Sequence, residues 1–316
     1  MVGGPTEMAE SMSLSADTDE LAIRSGQESS LHHERDHHFE IAFAVPSPVP
    51  LPARVVRRVL CARVPIAACR PSEAVDEVLA MAEQRTGIGA DVHLCNAYTL
   101  ALADRDPKYR SLLRSASLNL ADGKSVAWAN RLGGIRDDAI DRVRGNDLFL
   151  DVVDRGRNSK IRHYLLGSTN DVVEQLAANL TLRFPDADIV GAESPPFRAL
   201  TQQEYVERIK RLRESRADIV WVGLGTPKQD VAVCEIARDA GVVAIAIGAA
   251  FDFIAGNKVE APPWMQKRGV EWMHRLASEP RRLWKRYLFG NSRFLYAVAR
   301  HWRARHQGGA TPDEAV

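Results

Sequence analysis

Ile219-Val220-Trp221-Val222-Gly223-Leu224-Gly225-Thr226-Pro227-Lys228-Gln229 sets an unbroken apolar run against a turn of glycines, a proline and two polar side chains. A run that is apolar at every position suits a strand covered on both faces, the condition found in parallel sheets. A strand is therefore expected at 218–222, a helix at 228–239, and a second fully apolar strand at 242–247. Strand, turn, helix and strand make one βαβ unit.

Working outward, the same alternation continues in both directions. Strands are expected at 91–95, 117–121, 162–166 and 188–191, and helices at 72–85, 123–128, 171–183 and 202–213. Another helix should follow 95, with Leu100, Leu102 and Ala103 on one side. Strands alternating with helices predict an α/β fold, a doubly wound, mostly parallel Rossmann-like sheet. Past residue 257 the pattern changes. Pro262-Pro263 break the chain, and 264–305 holds no strand pattern, only two or three helices rich in Arg and aromatics. The sheet should therefore carry a C-terminal helical appendage. The expected divisions are a disordered extension at 1–56, an α/β core at 57–257, a basic aromatic appendage at 258–305 and a disordered tail at 306–316.

Charge supports these divisions. The chain of 316 residues has a net charge of only +1, but its first fifty residues hold nine acidic side chains against Arg24 and Arg35. Residues 258–305 hold twelve Lys or Arg against three Glu, and four of the six tryptophans. Arginine interleaved with Trp, Tyr and Leu suits the boundary between water and an anionic bilayer. The same residues could stack on RNA, or form a plain helical subdomain with solvated arginines. The membrane surface is the reading taken, with no nucleic acid. No apolar run reaches about 18 residues and no leader pattern is present, so the expected location is cytoplasmic, peripheral on the inner face of the membrane. Cys61, Cys69, Cys95 and Cys234 show no ligand spacing and read as buried free thiols. His32, His33, His37 and His38 read as a solvated tract, so no metal site is expected. The sequence leaves self-association into a homo-oligomer open.

In open α/β sheets, ligands bind beyond the carboxyl ends of the strands. The residues there are Asn96, Asp122, Gly167-Ser168, 223–229 and 248–252. In 223–229, Gly223 and Gly225 would let backbone approach a ligand, helix-start amides favour phosphate, and Lys228 and Gln229 add a charge and an amide. Glycines at such turns also serve packing alone. Asp122 can act as a helix cap, or as a base for an incoming hydroxyl. There is neither a Gly-x-Gly-x-x-Gly fingerprint at the first strand nor a phosphate-loop Gly-x-x-x-x-Gly-Lys-Ser/Thr, so dehydrogenase and NTPase readings lose their main support. The alternatives kept open are a nucleotide-dependent oxidoreductase and a non-catalytic membrane-associated nucleotide-binding protein.

Several stretches, in order, resemble the WecG/TagA/CpsF glycosyltransferase family: Leu94-Cys95-Asn96-Ala97, Asp122-Gly123, Arg142-Val143-Arg144-Gly145-Asn146-Asp147-Leu148, the 223–229 turn, 248–256, and the Glu271-Trp272 to Tyr287 segment. The similarity spans roughly 60–300. It implies an inverting, metal-independent transfer, without cofactor, from a UDP-sugar to a polyprenyl-diphosphate-linked saccharide in cell-surface polysaccharide biosynthesis. The family's base falls on Asp122. Its donor-site positions fall on Asn96, Arg142 and Gln229, to which Gly223, Gly225, Lys228 and Asp252 are added from the strand-end turns. Its appendage arginines fall on Arg275, Arg282 and Arg286. Leu94 stands where the family usually has Thr, which removes a hydroxyl from the pocket, and Glu260 stands where it usually has Arg.

Overall fold

The computed structural model describes residues 56–84, 86–132 and 141–306. The N-terminal extension apart from Val56, its histidine tract, and the tail beyond His306 lie outside the described residues. The chain enters through an antiparallel hairpin, β1 (Arg58–Cys61) and β2 (Val64–Ala67), turned by Ala62 and Arg63 at positive φ. Helix α1 (Pro71–Glu83) follows, then β3 (Ala90–Cys95), α2 (Ala97–Arg105), α3 (Pro107–Arg114), β4 (Leu118–Ala121), α4 (Lys124–Leu132) and α5 (Gly145–Gly156). Beyond these come β5 (Arg162–Gly167), α6 (Asn170–Arg183), β6 (Asp188–Glu193), α7 (Gln202–Glu214), β7 (Ile219–Gly223), α8 (Lys228–Ala240), β8 (Val243–Ala246) and the short α9 (Ala250–Ile254).

Six strands form one parallel sheet in the order β4-β3-β8-β7-β5-β6. The fold is α/β and doubly wound, as the alternation predicts. Side chains alternate between two covered faces. Leu94, Leu165, Trp221 and Ile245 pack under α1, α5 and α6, whereas Leu166, Val220, Val222 and Ala244 pack under α7 and α8. Trp221 is fully buried against Phe149, with ring centroids 4.4 Å apart. Its indole N–H donates to His163 Nδ1 at 3.2 Å, and burial pushes that imidazole down to about 4, so it remains a neutral acceptor. A side chain of this size contributes about 1.5–3 kcal/mol by leaving water, provided its polar atom is partnered.

Four elements depart from expectation: the hairpin and the helices α3, α5 and α9. Asp104-Arg105-Asp106 joins α2 to α3, and both of its acids are engaged. Asp106 caps α3 by accepting from Lys108 N at 2.8 Å, and the Asp104 carboxylate is 1% exposed.

The strand ends are tightly packed. Gly167 (φ +143°) pairs with Gly223, and a Cβ at Gly167 would lie 2.5 Å from the Gly223 carbonyl oxygen. Gly167→Ala is therefore expected to lower stability by about 1–3 kcal/mol, the usual cost of forcing atoms into a packed site. The check is a lowered urea midpoint with an unchanged slope.

Three helices follow Pro262: α10 (Pro263–Arg268), α11 (Glu271–Ser278) and α12 (Pro280–His306). The break at Pro280 matches the steric conflict between proline and a continuing helix. Helix α12 lies along α2. Gly290 passes so near Tyr98 that a Cβ there would sit 3.1 Å from its ring. Phe294 and Ala297 are buried, and Arg293 and Arg300 pair with Asp104.

Candidate active site

The carboxyl ends of β4, β3, β8 and β7 are consecutive along the sheet, so their turns form one edge. After β3, Asn96 caps α2, its Oδ1 accepting from Tyr98 N at 3.0 Å and Thr99 N at 3.2 Å. With Oδ1 engaged, the amide of the same side chain faces Asp122, the residue after β4. Among the described hydrogen bonds, no amide of α4 donates to the Asp122 carboxylate. Burial pushes the Asp122 pKa above the ordinary carboxylate range. Arg275 and Arg142 pull it back, Glu271 pushes it further up, and the Asn96 hydrogen bond lowers it. Asp122 is thus a carboxylate of increased basicity, partly open to the edge.

The basic residues around it come from two distant segments. Arg142 pairs with Glu271 Oε2 at 3.2 Å, and Arg144 Nε lies 3.1 Å from Glu271 Oε1. Arg144 also reaches Glu260 at 2.7 Å, and Asn146 donates to Glu260 Oε1 at 2.7 Å. The acid at 260 therefore fastens the start of the appendage to the cap and first turn of α5. Lys124, at the start of α4, donates to the Lys267 carbonyl. Arg275 stacks on Phe253 at 5.0 Å while acting electrostatically on Asp122, so it spans the exits of β8 and β4. Arg286 stacks on Tyr98 at 4.3 Å, and burial lowers its pKa. Tyr287 packs on Trp272 with the rings tilted at 51° and centroids 5.8 Å apart, and lies within electrostatic reach of Arg275, Arg286 and Asp122.

Asn96, Asp122, Arg142 and Arg275 are brought together, and Arg286 borders them through Tyr98. Others in the expected set are engaged elsewhere. Asp252 pairs with Lys258 at 2.9 Å, Lys258 with Glu279 at 2.9 Å, and Glu279 with the exposed Arg282. Gln229 is buried, and its Oε1 accepts from Gly225 N at 3.0 Å, bracing its own turn beside Gly248. Gly223 has a packing reason, since a Cβ would lie 2.8 Å from the Phe251 ring. Gly225 (φ +76°) has open space around it and Lys228 is exposed, so this part of the turn faces outward. Glu271, Arg144, Tyr98 and Tyr287 were not expected in the site. Glu271 and Tyr287 bound the last resembling segment and Arg144 lies inside another, but nothing in their local spacing joins them to Asp122.

The arrangement offers a basic carboxylate beside guanidinium groups that can face a diphosphate, the pairing needed to move a proton off a hydroxyl while a charged group departs. Among the described residues, the grouping with metal-ligand geometry (Asp91, His93 and Cys234) lies further down β3, on the face covered by α8.

Comparison with known proteins agrees with this picture. The sequence profile described as "Glycosyl transferase WecG/TagA/CpsF family" matches residues 59–308. An N-acetylglucosaminyldiphosphoundecaprenol N-acetyl-beta-D-mannosaminyltransferase of Bacillus spizizenii is 30% identical over 217 residues, 67% of this chain and 81% of the relative. A protein of the same name from Bacillus subtilis is 29% identical over 202 residues, 64% of this chain and 76% of the relative.

Proposed function

The chain belongs to the WecG/TagA/CpsF family and is a glycosyltransferase, and we propose that it moves a sugar from a UDP-sugar to a polyprenyl-diphosphate-linked saccharide by an inverting, metal-independent displacement. The observation that carries this reading is the basic carboxylate of Asp122, which opposes Arg142 and Arg275 at the sheet edge. The acceptor hydroxyl attacks the anomeric carbon and Asp122 takes its proton. The bond from that carbon to the diphosphate oxygen breaks, and UDP leaves with its negative charge facing the arginines. A single displacement from the opposite face inverts the anomeric centre. The relatives' names make N-acetylmannosamine the first donor sugar to test and N-acetylglucosaminyl-diphospho-undecaprenol the first acceptor.

In this reading 57–257 is the transferase core and 258–305 is its membrane-facing appendage. Among the described residues no helix is long and apolar enough to cross a membrane. Trp284, Leu288, Phe289, Leu295 and Tyr296 are nevertheless exposed along α12, among its arginines. Such a face adsorbs to an anionic bilayer through apolar burial and charge together.

Calorimetry tests the donor class. UDP should bind the full chain with one site, and NAD should not bind. Absence of UDP binding to a folded, monodisperse sample would remove the donor assignment. A screen of UDP-sugars with a short-chain polyprenyl-diphosphate acceptor, read by mass spectrometry, then identifies the sugar.

A further inference from the structure

Beneath the sheet edge, β3 and α8 bring together four side chains that the transfer reaction does not use. Asp91 and His93, two apart on a strand, share a face. Asp230 and Cys234, four apart on a helix, share the opposing one. His93 is fully buried, Asp91 and Asp230 are buried, and Cys234 is partly exposed. His93 Nε2 lies 2.9 Å from Asp91 Oδ2, Cys234 Sγ 3.2 Å from the same oxygen, and Cys234 Sγ 3.8 Å from His93 Nε2.

We propose that Asp91 Oδ2, His93 Nε2 and Cys234 Sγ bind a divalent transition metal, zinc by the chemistry of the donors, at a site separate from the sugar-transfer edge. Zinc bonds of about 2.0–2.3 Å at tetrahedral angles place nitrogen, oxygen and sulfur ligands about 3.4–3.6 Å from one another. The three separations seen here each fall within about 0.5 Å of that triangle. A mixed imidazole, carboxylate and thiolate set suits zinc better than magnesium or calcium, which take oxygen alone.

The atoms that would not touch the metal are already oriented. His93 Nδ1 lies 3.0 Å from Asp230 Oδ1, the carboxylate–histidine pairing that fixes a metal-binding ring. The second oxygen of Asp230 accepts from the Tyr109 hydroxyl at 2.9 Å. Asp91 Oδ1 accepts from Ser117 N at 3.0 Å and Ser117 Oγ at 2.8 Å, leaving Oδ2 to face the histidine and the thiol. Asp91 and His93 each have one polar atom held and the other converging on the Cys234 thiol. Without metal, His93 Nε2 and Asp91 Oδ2 share a hydrogen-bonded proton across their 2.9 Å separation. A metal would replace this proton and the thiol proton of Cys234. Three protein ligands leave the fourth corner to water, which can enter on the Cys234 side. The bound ion would tie β3, which leads into Asn96, to the helix that begins at Lys228.

Cobalt(II) substituted for zinc reports thiolate ligation directly. Metal-free, untagged full-length chain titrated with cobalt should develop a thiolate-to-cobalt charge-transfer band that saturates at one equivalent and is bleached by zinc. Cys234→Ser, a near-isosteric change at a partly exposed position, should abolish the band. Asp230→Asn should weaken zinc binding by about 10–100-fold, the usual effect of removing a ligand's orienting partner. The band should persist when His32, His33, His37 and His38 are all replaced by Gln, which separates this site from the N-terminal histidine tract. No band in the wild-type chain, or a band that survives Cys234→Ser, would overturn the proposal.

Discussion

Asp122→Asn is expected to lower turnover by about 10²–10⁴, the range for a positioned proton-transfer group, while leaving UDP affinity within a few-fold of the wild type. The amide keeps the size of the carboxylate and can still face Asn96, but it accepts no proton at neutral pH. The wild-type pH profile carries an independent signature. Burial raises the Asp122 pKa, so the active, ionised form is lost as pH falls through a value above the ordinary carboxylate pKa of about 4. The acid limb of kcat/KM should therefore lie above that value and should disappear in Asp122→Asn. Near-wild-type turnover in the variant would mean that Asp122 is a structural residue. An acid limb at the ordinary carboxylate value would mean that the burial observed here does not govern the reacting state.

The sheet was legible because its strands are buried on both faces, and uniform apolar runs such as 219–222 have few other uses in a soluble chain. The β1–β2 hairpin was not, and its residues show why. Its turn is Ala62-Arg63 at positive φ, where glycine or asparagine normally marks such a turn, and Pro65 lies inside one of its strands. Helix α5 begins at Gly145 with no side-chain cap hydrogen bond, so it lacked a start signal. The strand-end rule located Asn96 and Asp122 because the residue after a parallel strand is placed by the sheet itself. Glu271, Arg275 and Tyr287 reach the same edge through tertiary packing across more than a hundred residues. No local period encodes that. The cluster of Asp91, His93 and Cys234 was invisible for the same reason. Its spacing is that of a strand facing a helix, and ligand spacing along one chain segment cannot register it.

Arg275→Ala is expected to cost about 10²–10³ in turnover, comparable to removing one group that stabilises charge in a transition state. Arg275 is the largest favourable charge acting on Asp122, and its stacking on Phe253 holds it across the mouth of the edge. Its loss should also move the acid limb of the pH profile upward, because a positive charge that lowers the Asp122 pKa has gone. A residue that merely supported folding would not move that limb. Arg282→Ala separates the other role. Arg282 is 62% exposed and paired with Glu279, one step along the chain of charges that runs to Lys258 and Asp252. If it turns onto the donor diphosphate, activity falls. Vesicle binding should stay nearly unchanged, since one basic residue among twelve contributes about 1 kcal/mol at an anionic surface. Trp284→Ala with Phe289→Ala should do the reverse, abolishing sedimentation with anionic vesicles while sparing transfer to a soluble short-chain acceptor. These point changes are better tests than deleting the appendage, because α12 buries Phe294 and Ala297 and its arginines neutralise Asp104 on α2. Deletion would leave that carboxylate and apolar surface exposed, and lost activity could then reflect a damaged core. Unchanged turnover and an unmoved acid limb in Arg275→Ala would show that the appendage does not complete the transferase site. Vesicle binding that survives the double aromatic change would place the membrane contact elsewhere.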